Sequence, residues 1–284
     1  MTQTPLSTIG ISKNNFDIVT CFCIVDDFFS IVDKRGVSAR GRKPVLSVSE
    51  FVTICLLGQV YEVSCLKRLY ELLRDKFTED FKLPDYNNFV IGMNRVSVYC
   101  IMFIKAVLSM RDTTSGDICF CDGTKIEVCK IYRENRHKTM RSIATKSKST
   151  TGWWYGLKLH VLCDKQGNLM KIKFTTATTS ERSVLSEFMN QIHDSVIVAD
   201  AGYISKDLDI RASLNQNKLL TAVRKNMKTL ATLYDNRCMN MRSRIETVFD
   251  ILKERYKLVT SSPRSVSGYL AHYIRAIFCY LILG

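Results

Sequence analysis

The spacing of the hydrophobic residues changes near residue 117. From residue 15 to about 112, apolar side chains recur every three or four residues, as in Phe51, Ile54 and Leu57. This period predicts amphipathic helices. After Asp117, short apolar runs and alternating segments predict strands interspersed with helices. We therefore predict a helical N-terminal domain over residues 1–112 and a mixed α/β domain over residues 113–284.

Residues 113–284 contain five predicted strands, with predicted helices between and after them. The strands are predicted over Ile118–Asp122, Trp153–Cys163, Leu169–Thr175, Ser195–Asp200 and Leu219–Val223. The helices are predicted over Arg182–Ile192, Lys206–Asn215, Met241–Tyr256 and Val266–Leu283. This order predicts a mixed sheet whose central strands are buried on both faces and flanked by helices. In the first part, Ser47 and Glu50 predict a capping box at a helix start.

The charge of the chain restricts its partners. Forty-one Lys and Arg residues against 27 Asp and Glu residues give a formal net charge of +14. Such a chain attracts polyanions, of which nucleic acid is the commonest, although a basic protein without a nucleic-acid role stays an alternative. The most basic stretch is predicted as a loop over residues 130–150, either solvated or ordering on DNA. Its candidate DNA contacts are Lys130, Arg133, Arg136, Lys138 and Arg141.

The cysteine pattern argues against a disulfide framework or a zinc site. The 11 cysteines are odd in number, and the pairs Cys21/Cys23 and Cys119/Cys121 are too close for a Cys-x-x-Cys clamp. Residues 1–14 are polar and predict no secretory leader. The apolar runs are short or interrupted, which predicts no membrane span. We expect a cytoplasmic protein with buried, reduced cysteines and no membrane partner.

Three carboxylates are candidate metal ligands. Asp122 and Asp200 each follow a short apolar run that predicts a buried strand, and Glu246 lies beside the apolar stripe of a predicted helix. Acids at the carboxyl ends of neighbouring strands face the crevice where α/β sheets place their sites. Hard oxygen ligands suit Mg²⁺ or Mn²⁺, although each acid alone is also compatible with a turn or a solvated helix face. Glu127 and Asp250 are competing acids that we expect either at the surface or behind the ligands, without binding the metal themselves.

A basic protein with such a site fits phosphodiester chemistry. Two metal ions about 3.5–4 Å apart activate a water or a 3′-hydroxyl and stabilise the leaving oxygen. No Gly-x-Ser-x-Gly motif or P-loop occurs, and the four histidines are scattered along the chain. The sequence therefore favours metal-dependent cleavage over a covalent nucleophile.

Five motifs follow one another along the chain: Cys121-Asp-Gly-Thr, Gly152-Trp-Trp-Tyr-Gly-Leu-Lys-Leu-His, Val198-Ala-Asp-Ala-Gly-Tyr-Ile, Val223-Arg-Lys-Asn-Met-Lys and Arg244-Ile-Glu-Thr-Val-Phe-Asp-Ile-Leu-Lys. Together they resemble the DDE transposases of bacterial insertion sequences, and specifically the 982-type family, and on this basis we expect the helical domain over residues 1–112 to bind DNA. The resemblance implies an RNase H-like catalytic domain in which Asp122, Asp200 and Glu246 are the metal-binding triad. It also implies two Mg²⁺ (or Mn²⁺) ions and cleavage at transposon ends, followed by transfer of the freed 3′-hydroxyl into target DNA.

The resemblance extends to the predicted last part of the site. Arg242, Glu246 and Lys253 have the spacing of the Arg/Glu/Lys part of a signature in related transposases, with Met239 at the position of the tyrosine of that signature. The resemblance further implies terminal inverted repeats and target DNA as double-stranded partners. It implies a homodimer on DNA and a location with the nucleoid of a bacterial cytoplasm.

Further DNA contacts are predicted near the proposed site. The candidates are Lys158 and His160 on the predicted hairpin, Arg224 and Lys225 after the last strand, and Arg242 and Lys253 on the predicted helix. One of Trp153 and Trp154 could stack on a base. His160 is equally compatible with a core histidine, and one tryptophan with core packing. Two alternative functions stay open. One is an RNase H-like nuclease or resolvase without strand transfer, and the other is a decayed or domesticated copy that binds DNA without catalysis.

Overall fold

The computed structural model describes residues 17–33, 44–111, 117–222 and 232–284. The helices are α1 (Ile18–Asp33), α2 (Val48–Val60), α3 (Leu66–Lys76), α4 (Tyr86–Arg95), α5 (Ser97–Met110), α6 (Glu181–Met189), α7 (Lys206–Leu214), α8 (Leu233–Asn240), α9 (Ser243–Asp250) and α10 (Val266–Leu283). The strands are β1 (Asp117–Cys129), β2 (Thr145–Ser149), β3 (Gly152–Asp164), β4 (Leu169–Thr176), β5 (Ser195–Ala199) and β6 (Lys218–Thr221).

The chain divides into two compact units. The first comprises Met1–Val107, Glu254–Leu258 and Ser262–Gly284, and the second comprises Leu108–Lys253 and Val259–Ser261. The division near residue 107 lies close to the predicted domain boundary at 112. The last helix differs from the prediction, because α10 packs against α2 and α4 and groups with the first unit.

The first unit is helical, as its apolar spacing predicts. The predicted capping box is confirmed: the Glu50 N–H donates to Ser47 Oγ over 3.1 Å, and the Ser47 N–H donates to Glu50 Oε2 over 2.6 Å. Helix α2, which starts there, is buried along most of its length and forms the centre of the unit. Helix α10 adds Phe278, whose ring lies 5.1 Å from that of Phe103.

Two helical stretches are long and apolar enough to cross a membrane by length and composition alone. They are Tyr86–Met110 and Val266–Leu283, with 33% and 61% of their most apolar windows buried inside the protein. The second stretch is α10, whose Arg275 donates a hydrogen bond to the carbonyl of Met93 over 2.9 Å. Burial in the core of the first unit accounts for the apolar composition of α10.

The second unit is built on a six-stranded mixed sheet. Its order is β2–β3–β1–β5–β6, and β4 pairs with a further part of β3. Strand β1 is antiparallel to β3 and parallel to β5, and β5 is parallel to β6. One face packs against α6 and α7, while α9 contacts β1. A mixed sheet flanked by helices and preceded by a helical region confirms the predicted RNase H-like fold class.

Strand β1 and the basic segment differ from their predictions. Strand β1 continues to Cys129, so Asp122 lies within the strand instead of at its end, and Glu127 also belongs to it. The strand is longer because Ile126 and Val128 alternate with polar residues and β3 supplies a partner as far as Cys129. The predicted loop at 130–150 was wrong, because it contains a 3₁₀ helix at Ile131–Arg136, the fully buried Met140 and strand β2.

Candidate active site

The register of two parallel strands brings Asp122 and Asp200 together. Phe120 of β1 lies opposite Val198 of β5, and this is the last pair of that ladder. Asp122 and Asp200 each come two residues later, so they lie at the same level and on the same face of the sheet. Asp122 thus lies just past the end of the parallel pairing, where α/β sheets place their sites, although its own strand continues.

Each of these aspartates is oriented by the backbone that follows it. The Gly123 N–H donates to Asp122 Oδ1 over 2.7 Å, and the Gly202 N–H donates to Asp200 Oδ1 over 2.7 Å. Asp200 caps the 3₁₀ turn Ala201–Tyr203, directly after the end of β5. These hydrogen bonds to the backbone that follows therefore orient both side chains.

The environment of Asp122 disfavours its negative charge. Burial raises the pKa of Asp122 to about 6 from its ordinary value of 3.8. The hydrogen bond from Gly123 opposes this shift, the charge of Asp200 adds to it, and the nearby Arg242 guanidinium opposes it. A negative charge beside a buried carboxylate favours a cation that both can share.

Helix α9 brings Arg242 and Glu246 to the same place. Arg242 Nη2 donates to Glu246 Oε1 over 2.9 Å, and Arg242 Nη1 lies 3.5 Å from Asp122 Oδ2. The opposite side of the helix is fixed in the core by Ile245 and Val248. Arg242 thus connects two acids of the predicted triad, and the structure gathers Asp122, Asp200 and α9 on one face of the sheet.

Lys253 lies in a π-helical turn, Ile251–Arg255, that continues α9. Burial lowers the pKa of Lys253, with the nearby charge of Lys125 acting in the same direction and the charges of Asp250, Glu127 and Asp122 opposing it. Lys253 is therefore within electrostatic reach of Asp122. The competing acids Glu127 and Asp250 lie beside this lysine, and Glu127 also forms an ion pair of 3.0 Å with Lys125.

The carboxylates of Asp122, Asp200 and Glu246 suit a divalent cation chemically, but they do not converge on one point in this structure. Among the residues that the structure describes, no three His, Cys, Asp or Glu side chains surround a common point at ligand distance. The guanidinium of Arg242 forms ion pairs with both Asp122 and Glu246 and supplies positive charge there. The carboxylates are hard oxygen ligands of the kind that Mg²⁺ and Mn²⁺ prefer, and Arg242 is the group that a cation would displace.

Lys158 and His160 lie on the opposite face of the sheet from Asp122. Val161 of β3 pairs with Asp122, so by alternation His160 and Lys158 point the other way. His160 is fully buried, its Nε2 lies 2.9 Å from Thr175 Oγ1, and burial lowers its pKa to about 4. His160 is therefore a core histidine, as its alternative predicts, although its Nδ1 has no hydrogen-bond partner among the described residues.

Glu181 is an acid of this region that the sequence analysis missed. It starts α6 and pairs with Lys158 over 3.0 Å. A Cβ on Gly123 would lie 3.2 Å from Glu181 Oε1, and the charge of Glu181 contributes to the raised pKa of Asp122. The available signal was an acid directly before the helix predicted at Arg182–Ile192, and acids are common at the starts of helices without a site.

The remaining predicted DNA contacts divide into exposed and undescribed residues. Lys130, Arg133, Arg136, Lys138 and Arg141 are all exposed. Trp153 is also exposed, whereas Trp154 is buried, so the expectation of one core tryptophan is confirmed. Arg224 and Lys225 lie outside the residues that the structure describes. Contact with DNA stays a prediction for all of these basic residues.

Comparison with known proteins identifies the family. Residues 112–266, more than half of the chain, match the family described as "Transposase DDE domain". No curated protein matches the chain. Similar solved structures are a Mos1 transposase paired-end complex with left transposon end, at TM-score 0.26, and a pre-cleavage Mos1 transpososome, at TM-score 0.24. Both are 11% identical and cover 91% of this chain and 85% of theirs. On the strength of the domain match, which spans Asp122, Asp200 and Glu246, the chain belongs to the DDE-domain transposases.

Proposed function

We propose that the protein cleaves DNA at the ends of its insertion sequence and transfers the freed 3′-hydroxyl into target DNA. The observation that carries this proposal is the alignment of Asp122 and Asp200 on adjacent parallel strands, inside a transposase DDE domain. We also propose that the chain belongs to the 982-type family and acts as a homodimer on terminal inverted repeats. Its proposed location is the bacterial cytoplasm, with the nucleoid.

Asp122, Asp200 and Glu246 are the residues that would hold the divalent cations. When bound, Mg²⁺ or Mn²⁺ activates the attacking water or hydroxyl and stabilises the leaving oxygen. Asp122 and Asp200 lie at adjacent parallel strands, which supports this assignment, and Glu246 would give up its Arg242 partner if it bound a cation. Arg242, once displaced, is a long cationic side chain beside the reacting phosphate and can donate to it.

The rest of the second unit supplies the DNA surface. The exposed basic residues from Lys130 to Arg141 carry charges that attract the phosphate backbone. Lys253 lies within electrostatic reach of Asp122, and we place it, like Arg242, near the scissile strand. Lys158 is held by Glu181 on the other face of the sheet, so a contact with DNA from that position requires the ion pair to open.

The triad is tested by substituting each acid with its amide. Asp122→Asn, Asp200→Asn and Glu246→Gln are each expected to abolish nicking of DNA from the regions that flank the gene, with Mg²⁺ or Mn²⁺ present. DNA affinity should change little, because the substitutions remove ligands and leave the basic surface intact. Asp250→Asn is the matched control, since Asp250 is exposed on the same helix one turn after Glu246, and it should cleave normally.

An assay with pre-cleaved DNA ends distinguishes a transposase from the alternative functions. Joining of a pre-cleaved 3′ end to a target plasmid supports strand transfer, whereas cutting without joining supports a nuclease or resolvase. Tight DNA binding by the native protein without any nicking in either metal contradicts the catalytic proposal. That result would instead support a protein that binds DNA without catalysis.

A further inference from the structure

Trp153 is a large apolar side chain left in solvent on an otherwise ordered hairpin. Its side chain is 55% exposed at the start of β3, whereas its neighbour Trp154 is 4% exposed and anchors the strand in the core. The alternation of β3 explains the difference, because consecutive side chains point to opposite faces. Trp153 is thus an exposed ring on β3, a strand that pairs with β2 on one side and with β1 on the other.

Two lysines of β2 lie over the ring of Trp153. Lys148 pairs directly with Trp153 across the strands, and Lys146 comes two residues earlier on the same face. Their ammonium groups lie 5.9 Å and 5.3 Å from the ring centroid. Lys146 also pairs with Glu134 over 3.1 Å, which holds it close to the ring. An exposed aromatic ring beside two cations is the combination that proteins use to bind a base and its phosphates.

Trp153 lies on the face of the sheet that carries the candidate active site. Trp153 and Val161 are eight residues apart in β3, so they share a face, and Val161 lies opposite Asp122. Eight residues of strand separate them by about 26 Å. A DNA molecule that reaches Asp122 along this face is long enough to reach Trp153 as well.

We propose that Trp153, with Lys146 and Lys148, is a stacking site for an unpaired nucleotide of the bound DNA. The site rests on the proposed function, because it needs DNA at the face of Asp122. An unpaired base is the fitting occupant since the bases of a duplex cover each other's faces, whereas a splayed base offers an open ring. The two ammonium groups then contact the phosphates on either side of that base.

Fluorescence reports on this site directly, because the whole chain contains two tryptophans and Trp154 is buried. We expect a single-stranded oligonucleotide to quench the emission of the native protein by stacking. Trp153→Phe, in which Trp154 is the remaining fluorophore, should show no such quenching. Quenching of equal size in the Trp153→Phe protein would overturn the assignment.

Affinity provides the second measurement, with single-stranded DNA and a fully paired duplex of the same sequence as probes. Trp153→Ala should weaken single-strand binding about 5- to 100-fold and leave duplex binding within about twofold. Trp153→Phe should retain most of the affinity, because it keeps an aromatic face. Tyr132→Ala is the matched control. Tyr132 is 81% exposed in the basic segment 130–150, which also contains Lys146 and Lys148, and its removal should change neither affinity.

The outcomes distinguish this site from the proposed function. If neither probe binds to the native protein, both proposals fail. If the native protein binds both probes, the stacking site fails in two cases: Trp153→Ala leaves both affinities unchanged, or it weakens both equally. In either case the proposed DNA function stands. An equal loss in Tyr132→Ala also counts against a specific site at Trp153.

Discussion

Asp122 is surrounded by groups of both signs, and their balance determines what the side chain can do. Asp200 and Glu181 add negative charge around it, while Arg242 adds positive charge on the side of α9. Its side chain is 21% exposed, so water compensates the charge only in part. The free protein therefore holds an ionised carboxylate at neutral pH at a cost in folding stability.

This cost predicts a pH-dependent effect of Asp122→Asn on the metal-free protein. The pKa of Asp122 rises to about 6 in the folded state from an ordinary 3.8. Because the folded state binds the proton more tightly, the native protein loses stability as pH rises from 3.8 to 6, by up to about 3 kcal/mol. Asp122→Asn should remove this loss, so its melting temperature should exceed that of the native protein more at pH 8 than at pH 4.5.

Differential scanning fluorimetry in EDTA measures this difference. Asp250→Asn is the control, since its exposed side chain should give the same difference from the native protein at both pH values. A stabilisation by Asp122→Asn that is equal at pH 4.5 and pH 8 would contradict the effect of burial.

At the scale of elements, the pairing of β3 decides where side chains point. Alternation within Trp153–His160 shows from sequence that Lys158 and His160 share a face. Which face they share depends on the register with β1, a long-range property that no local pattern contains. Asp122 and Asp200 were predictable as a pair because each follows its own apolar run. Glu181 was not, because its position depends on how α6 packs against β1.

The close approach of β3 to β1 predicts a strong effect of Gly156→Ala. A Cβ on Gly156 would lie 2.0 Å from the carbonyl oxygen of Ile126, which is backbone and cannot rotate away. The strands have to separate, and we expect a loss of about 1–3 kcal/mol or more in the free energy of unfolding of the second unit. Urea unfolding measures this loss. Lys171→Ala on β4 should stay within about 0.5 kcal/mol of the native protein, and a similar effect of both changes would contradict the clash.

At the scale of the whole molecule, the net charge of +14 predicts DNA binding that depends steeply on salt. Each phosphate contact contributes about −0.9 to the slope of log affinity against log salt concentration. We expect the fivefold variant with Gln at Lys130, Arg133, Arg136, Lys138 and Arg141 to reduce this slope by up to about 4 to 5. Duplex binding measured by anisotropy at several salt concentrations gives the slope.

A control variant carries Gln at Lys165, Lys206 and Arg211, which are exposed in the second unit away from the basic segment. Its slope should equal that of the native protein. A slope that does not change in the fivefold variant would assign the DNA surface to another part of the molecule.

The grouping of α10 with the N-terminal helices has a consequence for synthesis on the ribosome. The second unit is one continuous stretch apart from three residues, Val259–Ser261, and most of its sheet emerges before α10 is translated. The first unit starts earlier but lacks a core helix until α10 is translated. We therefore expect the nascent chain to fold the sheet of the second unit first, and helices α1–α5 to complete their packing only after α10 has been synthesised.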